Sequence, residues 1–117
     1  MSMLCHLSMV WFAAAAMCLS TVPAVAGTTT LENMQAAYNG ESNAHSRYLA
    51  FAKQADVEGY GEVASLFRAA ARAEEIHASN HATVIRRLGV VPQARLEAPD
   101  VKPTRENLQS RYQGRAL

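Results

Sequence analysis

Two runs of apolar residues at alternating three- and four-residue spacing, joined by a short glycine-containing segment, limit what this chain can fold into more than anything else in it. That spacing keeps residues on one face of a helix. In the first run Leu31, Met34, Tyr38, Glu41, His45, Tyr48, Ala52 and Ala55 follow it without a break. In the second, Val63, Phe67, Ala70, Glu74, His77, His81, Val84 and Leu88 do the same. Between them Asp56 to Gly61 (Asp-Val-Glu-Gly-Tyr-Gly) reads as a helix-helix connection. Thr29-Thr30-Leu31-Glu32 has the form of a capping box, and Gly89 followed by Pro92 stops the second helix after Leu88. The expectation is an all-α hairpin whose two stripes are buried.

Burial of those stripes carries Glu41, Glu74 and His77 inside. Glu41 lies eighteen residues before Gly59, Glu74 fifteen after it and His77 eighteen after it. At a helical rise of about 1.5 Å per residue all three sit roughly 23 to 27 Å from the turn, so antiparallel packing brings them to nearly one height. An ionised carboxylate in an apolar seam costs several kcal/mol unless it is paired or coordinates a metal. Glu74 and His77, three apart, project to one side of their helix, and Glu41 closes the group from the other. Two carboxylates and an imidazole suit iron or manganese and accept zinc. A solvated helix face is the plainer reading of each residue alone. His45 and His81 lie one turn from the group and read as packing or supporting residues; Glu75 and the arginines 47, 68, 72, 86 and 87 read as solvent-facing.

The first 26 residues have a different character. Met9 to Met17 is apolar, and Ala24-Val25-Ala26 before Gly27 has the small-x-small form of a cleavage site. Residues 1–26 are therefore expected to be a signal peptide and the protein to be exported, in the periplasm, although no Lys or Arg precedes the apolar run. An uncleaved N-terminal membrane anchor is the alternative. Both cysteines, Cys5 and Cys18, fall in this segment, which leaves no disulfide framework or thiol nucleophile in the remainder. Eleven Lys and Arg against ten Asp and Glu, interspersed, give no basic patch for nucleic acid.

Thr30-Leu31-Glu32-Asn33-Met34-Gln35 recurs as Thr104-Arg105-Glu106-Asn107-Leu108-Gln109, and the match extends from Tyr38 to Tyr112 and Gly40 to Gly114. A duplicated hairpin is the simplest explanation. Residues 27–89 are then the first hairpin, 90–103 a proline-rich crossover, and 104–117 the start of a second, truncated repeat in which Arg115 stands where Glu41 stands in the first.

Glu41-Ser42-Asn43-Ala44-His45-Ser46-Arg47-Tyr48, with Ala73-Glu74-Glu75-Ile76-His77 downstream, resembles the first hairpin of a rubrerythrin, in the ferritin-like superfamily. The resemblance implies half of a four-helix bundle, iron at a di-iron centre held by Glu41, Glu74 and His77, and Tyr48 beside the bridging carboxylates, with no catalytic residue beyond the metal site. It also implies hydrogen peroxide or ferrous iron as substrate and an external electron donor. The chain departs from the family in lacking the second pair of glutamates, the second Glu-x-x-His and the four-cysteine rubredoxin module. Two ferrous ions are balanced by four carboxylates, so a homodimer is expected to complete both ligand set and bundle. The alternatives are a non-catalytic iron-binding protein, a structural helix pair, or a truncated remnant without function.

Overall fold

The structure, a computed structural model, describes residues 29–113, with side chains through Ser110. The segment expected to be a signal peptide and the Arg115 position lie outside the described residues. Three helices are present: α1 (Thr30–Val57), α2 (Gly61–Arg87) and α3 (Thr104–Gln113). Among the described residues there is no strand, and no helix is long and apolar enough to cross a membrane. The all-α hairpin expected from the stripes is what α1 and α2 form.

Capping chemistry sets the ends of both long helices. Thr29 and Glu32 exchange side-chain and backbone hydrogen bonds, the Thr29 amide donating to Glu32 Oε2 at 2.7 Å and the Glu32 amide to Thr29 Oγ1 at 3.2 Å. At the turn, the Gly59 amide donates to the Asp56 carbonyl and the Tyr60 amide to the Ala55 carbonyl, with Gly59 at φ 82°. This is a Schellman ending, in which glycine takes the left-handed position that a side chain would strain. Gly89, at φ 79°, ends α2 in the same way, with Val90 donating to Ile85.

The seam between α1 and α2 is made of alanine and two phenylalanines. Ala44, Phe51, Ala52 and Ala55 of α1 are buried, and Ala64, Phe67, Ala71, Ala78, Ala82 and Ile85 of α2. Small side chains let the helices approach closely, while Phe51 and Phe67 meet edge to face with ring centroids 5.4 Å apart and Tyr48 stacks on Phe67 at 6.3 Å. Here the structure corrects the α2 stripe expected from the sequence. Phe67 is in the seam, but His77, Val84 and Leu88 are exposed, and Glu74 and His81 lie at its edge. One helix partner buries one face, and on α2 the alanines take it. The stripe through Glu74 and His77 is a second face, at the rim of the α1–α2 contact.

Beyond α2 the chain runs back along α1 as an extended strap and enters α3. The Arg95 amide donates to Asn39 Oδ1 at 2.7 Å, Asn43 Nδ2 donates to the Arg95 carbonyl at 2.8 Å, and the Glu97 amide donates to Asn43 Oδ1 at 2.8 Å. Gln35 Nε2 donates to the Gln93 carbonyl. Four helical residues rise about 6 Å and two extended residues about 6.6 Å, so amides at positions 35, 39 and 43 keep step with alternate strap residues. The strap delivers α3 to the turn end, where the Thr104 amide donates to the Glu58 carboxylate at 3.1 Å and Asn107 exchanges hydrogen bonds with the backbone of Lys102. From there α3 runs back along α1, and Leu108 packs against the Phe51 and Phe67 cluster.

Candidate metal centre

Glu41 sits in the middle of α1 and Glu74 and His77 one turn apart on α2, at the height fixed by the Gly59 turn. One ligand atom from each of the three lies within 4.8 Å of the others. His77 Nδ1 is 3.3 Å from Glu74 Oε2 and 3.9 Å from Glu41 Oε1. The group stands at the rim of the seam: the Glu74 side chain is 21% exposed but that of His77 is 56% exposed. The burial expected for all three is therefore partial, because a hairpin alone covers only one side of them.

The electrostatics follow from placing two carboxyl groups together. A hydrogen bond with Glu74 raises Glu41 to about 7, burial and the Glu74 charge push in the same direction, and His77 opposes them. The pair thus holds a proton on Glu41 up to about neutral pH. A divalent cation between the same oxygens would supply the counter-charge in place of that proton. Two carboxylates and one imidazole, converging from two helices, fit an iron-type cation on donor chemistry and on geometry.

Tyr48 and Glu74 line one cleft of about 720 Å³, shared with Asn43, Arg47, Phe51 and, from α3, Ser110. Arg47 places its guanidinium 5.8 Å over the Tyr48 ring. His45 Nδ1 lies 2.8 Å from the Ala71 carbonyl and His45 is not part of the group. His81 is not part of the group. Glu75 pairs with Arg72, and Arg68 with Asp56, on the outer surface. Reading the sequence for chemistry missed the strap's contribution: Glu97 and Asp100 also line the cleft, on a strap whose Arg95 and Glu97 amides donate to Asn39 and Asn43. The amide residues at spacing four, facing a non-helical run of matching length, were the signal.

An antiparallel helical hairpin with a carboxylate-histidine group at mid-height is the form of a ferritin-like hairpin. The chain belongs to the rubrerythrin family, whose model matches residues 32–114. It is 55% identical over 49 residues to nigerythrin of Nitratidesulfovibrio vulgaris, covering 42% of this chain and 24% of that protein. It is 40% identical over 62 residues to rubrerythrin-2 of Clostridium acetobutylicum, covering 53% of this chain and 34% of that protein. With rubrerythrin of Porphyromonas gingivalis the identity is 32% over 90 residues, 77% of this chain and 45% of the relative. The chain therefore spans less than half the length of each of these relatives. No solved structure matches it significantly.

Proposed function

We propose that this chain is an iron-binding protein in which Glu41, Glu74 and His77 form one half of a two-metal centre, and the same residues of a second copy form the other half. The observation that carries the reading is the convergence of three ligand atoms from two helices within 4.8 Å. Family membership supports iron as the metal. Glu74 and His77 from α2 and Glu41 from α1 would hold the metal, the glutamates through carboxylate oxygens and His77 through a ring nitrogen. Two copies bring four carboxylates, which balance two ferrous ions, and two imidazoles. When bound, reduced iron supplies the two electrons that convert hydrogen peroxide to water, and an external donor restores them. The chain's own residues set the conditions: Glu41 releases its proton when the site is loaded, and Tyr48 and Phe51 wall the cleft beside Glu74.

The exposure of His77 favours a second reading, iron binding or ferrous oxidation without peroxide turnover, because an open ligand does not by itself build an enclosed reaction site. Metal content, solution mass and peroxide consumption with an artificial reductant separate these. About one iron per chain in a dimer, lost in Glu74→Ala, is the expected result. Unchanged metal content in Glu74→Ala would sink the assignment, and loaded protein that leaves peroxide untouched would select the second reading. Residues 1–26 support export to the periplasm with cleavage after Ala26. N-terminal sequencing of protein made in cells checks this, and an intact segment in the membrane fraction would point to an anchor.

A further inference from the structure

The aromatic layer of the hairpin already carries a helix, and that helix shows what the layer accepts. Leu108 of α3 packs against the cluster of Phe51, Ala52, Ala55, Ala64 and Phe67, beside Tyr48. The helix that bears it begins Thr104-Arg105-Glu106-Asn107-Leu108-Gln109, and α1 begins Thr30-Leu31-Glu32-Asn33-Met34-Gln35, with Met34 in the place of Leu108. The chain thus contains a second helix start of the same design as the one seated there.

The register of a completed site leads to the same layer. If two copies cross antiparallel with their Glu41 residues at one height, a residue seven before Glu41 in one copy meets the level of a residue seven after it in the other. Those residues are Met34 and Tyr48. Tyr48 stacks on Phe67, within the layer that Leu108 touches. The same cleft that exposes Glu74 is bounded by Tyr48, Phe51 and Ser110, so Glu74 and the helix seat share one opening.

We propose that the layer of Tyr48, Phe51 and Phe67 is the docking seat for the first helix of a second copy of this chain, and that α3 is its resident competitor. The proposal rests on the reading that a second copy completes the site. Helix axes pack about 8 to 10 Å apart, so one seat does not hold α3 and a partner's α1 together. Pairing therefore requires α3 to leave. The strap bonds at Gln35, Asn39 and Asn43 and the Glu58 bond to Thr104 keep α3 close to its seat, which makes it an intramolecular rival at high effective concentration.

The test compares the full chain with Leu108→Glu by sedimentation equilibrium in chelator. A charge at position 108 unseats α3 and leaves the hairpin's own face intact. The variant is expected to pair with a Kd lower by about tenfold, the worth of removing a partly buried leucine from the competing side. Adding Met34→Glu to that variant is expected to abolish the gain, because Met34 is the partner's counterpart of Leu108. Circular dichroism checks that the long helices persist; where Leu108→Glu costs more helix than α3 holds, Leu108→Ala takes its place. Pairing no stronger than in the parent chain, two monomeric proteins at every concentration, or a gain that survives Met34→Glu would each overturn the proposal. The comparison is made without metal, so a failed metal assignment shows in the Glu74→Ala metal content and a failed docking seat shows here.

Discussion

The turn end and the metal end of this hairpin are built from the same two helices with opposite materials. Toward the turn, Phe51, Phe67 and the three alanines Ala52, Ala55 and Ala64 fill the seam, and Leu108 of α3 adds to it from outside. At mid-height the residues facing the same side are Glu41, Glu74 and His77, which are partly or largely open. The first region gains from losing water, and the second is costly to enclose until something neutralises it. The aromatic layer and the ionisable group thus lie about three turns of helix apart, counted from Phe51 to Glu41 at 3.6 residues per turn.

The largest expected effect breaks the turn end. Phe67 is fully buried and meets both Phe51 and Tyr48, so Phe67→Ala removes the ring on which the aromatic layer is assembled. A loss of about 3 to 5 kcal/mol is expected. Urea unfolding followed by circular dichroism measures it. For a hairpin this small that loss leaves little folded protein at room temperature, whereas a midpoint near that of the parent chain would mean that the aromatic layer does not hold the helices together.

The metal end gives a change of opposite sign. In metal-free protein Glu41 is raised from 4.5 to about 7 by its hydrogen bond with Glu74, by burial and by the Glu74 charge. A carboxyl group whose pKa is higher in the folded chain than in the unfolded one contributes stability that is full below about 4.5 and is lost as pH rises through about 7. Metal-free protein should therefore become less stable across that window. Glu41→Gln, which cannot ionise, should flatten this dependence and be the more stable protein at pH 8 in chelator, while losing metal affinity by on the order of a hundredfold. Thermal unfolding at a series of pH values in chelator reads the first part, and metal titration the second. An unaltered pH slope in the variant would remove Glu41 from the explanation.

How far the sequence was legible differs between the two ends for physical reasons. Gly59, Gly89 and the Thr29 capping box announce the helix ends because each meets a local backbone demand that few residues satisfy. Glu41, Glu74 and His77 could be brought together on paper because helical rise is uniform and the turn fixes the register. The α2 seam was misread because alanine is a weak apolar signal. Val84 and Leu88 drew the stripe toward themselves, although Ala64, Ala71, Ala78 and Ala82 make the close contact. A helix that serves two neighbours has two faces, and the more hydrophobic one need not be the one facing the nearer partner. Asn39 and Asn43 carry no assignment in the sequence, since a side-chain amide declares no partner until a chain segment lies beside it.

The smallest expected effect concerns that segment and links the two ends. Asn43 both donates to the Arg95 carbonyl and accepts from the Glu97 amide, each at 2.8 Å, and it lines the cleft that opens onto Glu74. Asn43→Ala removes both strap bonds and the bond to the Asn39 carbonyl from a partly exposed site where water takes their place, so global stability should fall by only about 1 kcal/mol. The local consequence is larger than the global one, because the Glu97 amide has no other bond to slow its exchange once the asparagine is gone. Amide exchange should accelerate at Glu97 and leave Phe67 and Ala71 unchanged. The strap is also α3's tether, so in chelator the same variant should shift pairing in the direction of Leu108→Glu and by less. Faster exchange throughout α2 would show instead that the strap is part of the hairpin's core, and the separation between a stabilising end and a chemical end would have to be redrawn to include it.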